Sequence, residues 1–490
     1  MQFIDYLAIG IFFVLMVLIG SASYRKIKSS NDFFVAGGNV PWWLAGISHH
    51  VSGYSGAVFV GYAYVAYEFG ITLYFWWALP ITLACLSGSF LIAPRWAKLR
   101  TILAIQSPTE YLALRYNVPT QQLIAWSGVL LKLFDVAAKW ASMGILLFGF
   151  TGLPVAAGIM ITGGVSLLYI TIGGLWADLW TDLAQFIVQI IAGFVMFAGV
   201  LIYLGGVDQV FSVWAQLPEG HTRPFNGDYT PGFVLAFIAI AFLSYNGGTW
   251  NLATRYISAP SGSSARKSAL LSAALYLFWP LILFFPMWVS PLIFPDLEDA
   301  SQVYPMLARE FLPAGLVGLV LASMFANTMS MTTSDANTIS SVITRDILPK
   351  LSIKFQDLSG SGSLKVARIV TVLFTLGTLT LALNAELFGG VLGLLITWFA
   401  ALLGPTAIPM LFGLLPAFRH CGPKIAISSI LIGLVGFVVV NYGMEVSQAV
   451  QIATPLLASL TAYTLMGILN RKQVVPLNVQ SLLDELQETI

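Results

Sequence analysis

Charge is scarce in this chain. Of its 490 residues only 9% are Asp, Glu, Lys or Arg and 58% are hydrophobic, where a soluble domain carries about 25% charged residues. A fold bathed in water could not cover that much apolar surface with so few charges, which excludes a cytosolic enzyme or a nucleic-acid binder. Cysteine is almost absent too: Cys85 and Cys421 lie far apart, each in or beside an apolar run, so neither a disulfide framework nor a metal cluster is expected. With Lys+Arg 23 against Asp+Glu 22, no excess of one sign points to a charged partner. No Walker-type sequence, HExxH or nucleophile elbow occurs, so direct use of ATP and familiar hydrolytic chemistry are not expected.

What the chain has is apolar runs, each about 20 residues long, the length that crosses a hydrocarbon core. They fall at 3–23, 42–67, 72–94, 121–149, 153–172, 179–205, 232–256, 268–293, 314–343, 366–386, 388–416, 423–442 and 448–469. About 13 spans, an odd number, would put the termini on opposite sides of the bilayer. The first run lacks a positive n-region and is followed by Arg25, Lys26 and Lys28, which does not read as a signal peptide. With the N-terminus outside, nearly all Lys and Arg fall in cytoplasmic loops; only Arg223 and Arg309 fall outside, and Lys132 and Lys139 lie within a span. That inward bias predicts a multi-pass protein of the plasma (cell inner) membrane with a cytoplasmic C-terminus. The outside loop 294–299 is acidic, and the tail 473–490 is short and polar.

Two spans are interrupted by polar and glycine residues. One reads Ser48-His49-His50-Val51-Ser52-Gly53-Tyr54-Ser55-Gly56 and the other Ser244-Tyr245-Asn246-Gly247-Gly248-Thr249-Trp250-Asn251. Each opens a set of five spans, and an odd number of crossings gives the two sets opposite topologies. Paired interrupted helices in inverted halves mark the central site of a transporter. Gly and Ser also permit close helix packing, the plainer reading of either stretch alone. A third polar segment runs from Asn327 to Asn337, where Ser330, Thr333, Ser334 and Asn337 share one helical face. Hydroxyls at that density suit a hard cation, although they also bond back to their own helix.

Ionisable groups within spans are expensive unless paired or hydrated. Lys132, Asp135 and Lys139 share a face, so Asp135 serves either an internal ion pair or a solute contact. Asp182 opens a span after Trp180 and Thr181. His49 and His50 point about 100° apart on a helix, which argues against a chelating pair.

Four stretches resemble the sodium/solute symporters: Asp32-Phe33-Phe34-Val35-Ala36-Gly37-Gly38-Asn39-Val40-Pro41-Trp42-Trp43; Pro108-Thr109-Glu110-Tyr111-Leu112 through Arg115; Gly173-Gly174-Leu175 with Trp180, Thr181, Asp182 and Gln185; and Phe325 to Asp346. They occur in the family's order, and the resemblance covers about residues 30–415. It implies an all-helical membrane fold of two inverted five-helix repeats with broken first helices. The division is an extra N-terminal helix and loop at 1–30, repeats at 31–220 and 221–417, two extra helices at 418–472, and the tail at 473–490.

The resemblance also implies a sodium site built from main-chain oxygens of Val51, Tyr54 and Asn327 and the Ser330 hydroxyl. The next position, usually a second hydroxyl, is Met331, whose thioether is a poor ligand for a hard cation; the Asn327 amide or a water is the substitute. A second sodium site, known in some members, maps to Asp182, Thr333 and Ser334 and shares Ser330, so one Na+ is expected and a second has its residue types present. On the solute side, Val58, Trp77, Phe242 and Tyr276 stand where sugar-transporting members carry polar groups, and Asp135 where sialic-acid relatives carry an Arg. Tyr245 matches the inner-gate tyrosine. A pocket of Ser52, Ser55, Trp77, Asp135, Tyr245, Trp250 and Thr397 offers aromatic faces and directed hydrogen bonds to a sugar or sugar derivative. The expected activity is sodium-coupled symport, with no enzymatic chemistry, no nucleic acid and no obligatory protein partner; the rivals are proton coupling through His50 or Asp135, an intramembrane enzyme and a membrane sensor.

Overall fold

The computed structural model describes residues 2–54, 58–356, 360–388, 390, 391, 394, 401 and 403–487. Among the described residues the regular structure is helical, apart from an isolated bridge between Asn226 and Tyr229. Ten of these helices are long and apolar enough to cross a membrane. Helix is the form that lipid demands, because a backbone group in hydrocarbon has no water to bond. Three of the expected spans are not among the ten. The run 42–67 is broken after Trp42–Val51, the run 153–172 holds only the shorter apolar helix Val155–Leu167, and much of 388–416 lies outside the described residues.

The centre of the molecule is the Leu316–Val342 helix. In the apolar stretch of its span 83% of residues are buried, against 22% for the outlying Phe3–Tyr24 helix, so the hydroxyl-rich face is enclosed by protein rather than lipid. It packs against Phe3–Tyr24, Val118–Thr151, the second half of Val155–Leu204, and Gly360–Leu383. Asp5 fixes one of these contacts: its Oδ1 accepts from the backbone N–H of Gly315 (2.7 Å) and Gly318 (3.1 Å), capping the central helix from a neighbouring one.

The four motifs meet as joints. Val155–Leu204 is a single helical run with a sharp break at Gly174 (φ 54°, ψ −160°), which sets the shorter apolar helix Val155–Leu167 apart from the span Gly174–Leu204. A Cβ at Gly174 would lie 2.9 Å from the carbonyl oxygen of Phe33, so the glycine of one motif is seated on the aromatic of another. Asp346 accepts from the hydroxyls of Ser107 and Thr109, both at 2.6 Å, and from Gln121 Nε2 at 3.0 Å, while Arg345 pairs with Glu110 at 2.6 Å. Arg115 donates to the carbonyls of Gly413, Phe418 and Cys421.

The tail, expected to be simply polar, contains the helix Leu477–Gln487. It turns Val479, Leu482, Leu483 and Leu486 inward and packs on Ala93–Leu103 and Leu112–Arg115. Its apolar residues recur at helical spacing among polar ones, a pattern too short to stand out by composition.

Replacing Gly174 with Ala combines a backbone conformation nearly exclusive to glycine with a clash against main chain. A loss of about 1–3 kcal/mol is expected, read as a lowered melting temperature of the detergent-solubilised protein. Gly10→Ala, where a Cβ meets nothing within 4 Å, should leave it unchanged.

Candidate ion and solute site

The second interrupted span consists of Pro231–Leu243, a widened turn at Ser244–Gly248, and Asn251–Ile257. Gly247 (φ 114°) and Trp250 (φ 66°) take left-handed backbone there, so the helical ladder cannot continue. The freed carbonyls find side-chain donors, two of them on other elements. Trp96 Nε1 donates to Asn246 O at 2.9 Å, His49 Nε2 lies 2.9 Å from Tyr245 O, and Thr249 Oγ1 donates to Ser244 O at 3.0 Å. His49 also bonds Ser272 Oγ (2.8 Å) through Nδ1 and meets the Tyr256 hydroxyl at 2.9 Å. It therefore ties the first broken helix to the second through Nε2, while Nδ1 is held by Ser272. At the first break the Tyr276 hydroxyl donates to His50 O at 2.7 Å. Around both breaks several buried polar atoms have no partner among the described residues: both ring nitrogens of His50, Ser52 Oγ, Tyr54 OH, Ser244 Oγ and both amide atoms of Asn327. Buried groups of this kind suit water, an ion or a solute.

One turn from the breaks lies a compact cluster of oxygen atoms. Asp182 Oδ2 accepts from Ser48 and Asp182 Oδ1 from Ser330. Asp178, four residues earlier on the same helix, lies 3.0 Å from Ser330 Oγ and 2.8 Å from Thr333 Oγ1, and also accepts from Ser334. Arg255 closes the group, with Nη2 at 2.6 Å from Asp178 Oδ2, 2.6 Å from Ser334 Oγ and 3.5 Å from Asp182 Oδ2. All seven residues are buried. The cluster joins the first broken helix (Ser48) and the segment after the second break (Arg255) to the central helix and the Gly174–Leu204 span. Asp182, Ser330, Thr333 and Ser334 thus come together as one group. Val51 and Tyr54 stand at the first break, where Tyr54 N donates to Val51 O at 2.9 Å; Asn327 precedes Ser330 by one turn, and Met331 is half-buried.

A second charged group is closed and neutral. Lys132 bridges Asp135 (2.7 Å) and Asp335 (2.6 Å), and Lys139 bridges the same carboxylates at 2.9 and 2.7 Å. The internal ion pair is therefore what forms from Lys132, Asp135 and Lys139. Of the two roles open to Asp135, the structure shows the ion pair: its carboxylate lies between two ammonium groups.

The aromatic groups expected in one pocket separate into two places. Trp77 is enclosed by Tyr54, Tyr62, Tyr276 and Phe284, with ring centroids 5.1–5.8 Å away, and Tyr245 meets the edge of Tyr276 at 5.4 Å. Val58 belongs to the same apolar cluster, and Phe242 packs against it. Trp250 instead packs over Gly128 and, with Leu131, Lys132, Gly248, Leu403 and Thr406, lines a narrow cleft. Ser55 and Thr397 lie outside the described residues.

Comparison with known proteins gives the context for this geometry. The family model of the sodium:solute symporter family matches residues 33–433. The chain belongs to the sodium:solute symporter family. As a family member it is a sodium-coupled transporter, not an enzyme, with Na+ as the coupling ion. It is 25% identical over 473 residues to the sodium/sialic acid symporter SiaT of Proteus mirabilis (strain HI4320), covering 91% of each chain. It is 24% identical to the sodium/glucose cotransporter of Vibrio parahaemolyticus, over 80% of this chain and 76% of that protein. The fold is similar to that of a substrate-bound, outward-open Na+-coupled sialic acid symporter (TM-score 0.84, 22% identity, 96% of this chain and 98% of that one). It is more distantly similar to Mhp1, a nucleobase-cation-symport-1 family transporter (TM-score 0.53, 15% identity, 94% and 99% coverage).

Sequence reasoning missed Asp178, Arg255 and Ser48 in the cation cluster and Asp335 in the neutral ring. The spacing of Asp178 and Asp182, one turn apart in an apolar run, was the available signal for a shared cationic partner. Asp335→Ala would leave two buried ammonium groups with one carboxylate, with an expected loss of about 3–5 kcal/mol. Lys139→Met combined with Asp335→Leu removes one charge of each sign and should lose much less. Melting temperatures followed by size-exclusion chromatography compare the two.

Proposed function

We propose that this symporter takes up a sugar or sugar derivative together with Na+ by alternating access. The observation that carries the reading is the oxygen cluster of Asp178, Asp182, Ser48, Ser330, Thr333 and Ser334, which touches both broken helices at once. Carboxylates and hydroxyls are the ligands a hard cation takes in exchange for its water. A cation seated there bears directly on Ser48 of one broken helix and, through Arg255, on the other. The common site at Val51, Tyr54, Asn327 and Ser330 is assigned to the same ion path, with the unpartnered Asn327 amide offering an oxygen where Met331 has none.

The solute is assigned to Ser52, Trp77 and Tyr245 near the first break, with Ser55 and Thr397 included on the family resemblance and Trp250 lining a separate cleft. Unpartnered Ser52 Oγ and Tyr54 OH supply hydrogen bonds, and indole and phenol faces suit the C–H face of a sugar ring. The names of the sialic acid and glucose relatives agree with this class of solute.

The architecture that goes with this function is about 13 spans, with inverted five-helix repeats at 31–220 and 221–417 flanked by 1–30, 418–472 and the tail 473–490. The N-terminus is assigned to the outside and the C-terminus to the cytoplasm of the cell's inner membrane, on the positive-inside bias. Ion and solute binding then favour closure on the outer side, and rocking of one bundle opens the inner one. Inward movement of one Na+ gains about 2.3 kcal/mol per 100 mV of membrane potential, enough to concentrate a neutral solute.

The test is uptake of labelled sugars, sugar acids and amino acids into proteoliposomes, each with and without an inward Na+ gradient. Gradient-driven accumulation of a sugar or sugar acid is expected, and Asp182→Ala or Ser330→Ala should raise the Na+ concentration for half-maximal uptake about tenfold or more. Accumulation of amino acids alone would overturn the solute class, and unchanged Na+ dependence in both variants would overturn the site.

A further inference from the structure

The cation cluster holds a charge that sodium binding alone does not explain. Asp178 and Asp182 are both buried, and Arg255 is the single Lys, Arg or His within 4.0 Å of either among the described residues. The guanidinium is itself fully enclosed. It uses Nη2 for all three contacts, with Asp178, Ser334 and, more distantly, Asp182, while Nε and Nη1 have no partner. Four hydroxyls, from Ser48, Ser330, Thr333 and Ser334, face the same two carboxylates.

Hydroxyls orient toward charge but do not neutralise it. With both carboxylates ionised, one guanidinium leaves one negative charge uncompensated among buried groups, which is unfavourable unless one monovalent cation joins them. The distances say where. Nη2 sits 2.6 Å from Asp178 but 3.5 Å from Asp182, so Asp182, with Ser48 and Ser330, is the carboxylate less engaged by arginine.

We propose that Arg255 is an internal cation that occupies one of two cation positions between Asp178 and Asp182, so that this cluster takes one sodium, at Asp182, and Arg255 sets its affinity. The inference rests on the sodium-symport reading and deepens it. Arg255 lies on Asn251–Ile257, the segment that follows the break at Gly247 and Trp250. A sodium ion arriving at Asp182 repels the guanidinium toward Asp178 and Ser334. That displacement acts on Asn251–Ile257, the segment directly after Trp250, which couples ion occupancy to the interrupted helix.

The experiment varies the cluster's charge and reads the Na+ dependence of uptake in proteoliposomes, with melting temperature as the check on folding. Arg255→Gln removes the internal cation; the half-saturating Na+ concentration should fall about tenfold and the Hill coefficient for Na+ should rise as a second ion enters. Asp178→Asn makes the cluster neutral with Arg255 in place and should raise half-saturation about tenfold. The double variant Arg255→Gln with Asp178→Asn restores the single negative charge and should return toward wild type, a rescue that a purely structural ion pair would not give. Arg255→Lys keeps the charge and should keep the wild-type Hill coefficient. If wild-type uptake depends on Na+ but Arg255→Gln alters neither value, or the double variant is no better than Asp178→Asn, the proposal is overturned by itself. Wild-type uptake indifferent to Na+ would overturn the symport reading on which it rests.

Discussion

Backbone that leaves the helical ladder inside a membrane must find its hydrogen bonds within the protein, and much of this molecule is arranged around that demand. At the second break three successive carbonyls, those of Ser244, Tyr245 and Asn246, are met by Thr249, His49 and Trp96. Two of those donors come from other elements, the first broken helix and the Ala93–Leu103 helix. The break is therefore the place where distant parts of the chain are fastened together. His49 does this most directly, since Ser272, Tyr245 and Tyr256 all converge on its ring.

Buried charge is handled in two contrasting ways. Lys132, Lys139, Asp135 and Asp335 form a closed ring in which each ammonium meets both carboxylates. Such a ring is neutral, satisfied and confined to two helices, Val118–Thr151 and Leu316–Val342, which it clamps. The Asp178–Asp182–Arg255 group spans four elements and is richer in acid than in base. The first group balances its charges within one pair of helices, whereas the second leaves carboxylates in excess of its single arginine and shares them between several helices. Both meet on the central helix, where Asp335 follows Ser334 by a single residue and points to the other group.

Much of this was legible in the chain. The apolar runs declared the membrane, and the Ser-Gly and Asn-Gly-Gly interruptions marked the breaks, because such residues in hydrocarbon are tolerated only for a reason. Ser330, Thr333 and Ser334 were legible as a face because helical spacing is local. The pairing of Asp178 and Asp182 with Arg255 was not, because the partners are more than seventy residues apart and nothing local favours one arginine over another. Asp135 was ambiguous for the same reason: its two lysines were visible at helical spacing, but the second carboxylate, Asp335, came from another helix. The docked tail helix escaped notice because four apolar residues in a short polar segment make a weak pattern.

The sequence by itself determined that the chain crosses a membrane many times, where two of its helices come undone, and which helical face is rich in hydroxyls. These follow from composition and from spacing along one segment, where the physics of lipid and of the helix turn acts residue by residue. Tertiary structure decided which carboxylate meets which cation, that Trp77 and Trp250 face different surroundings, and that Gly174 lies against Phe33. Those outcomes depend on how separate helices approach one another, and packing across long stretches of chain leaves no periodic trace in any one of them.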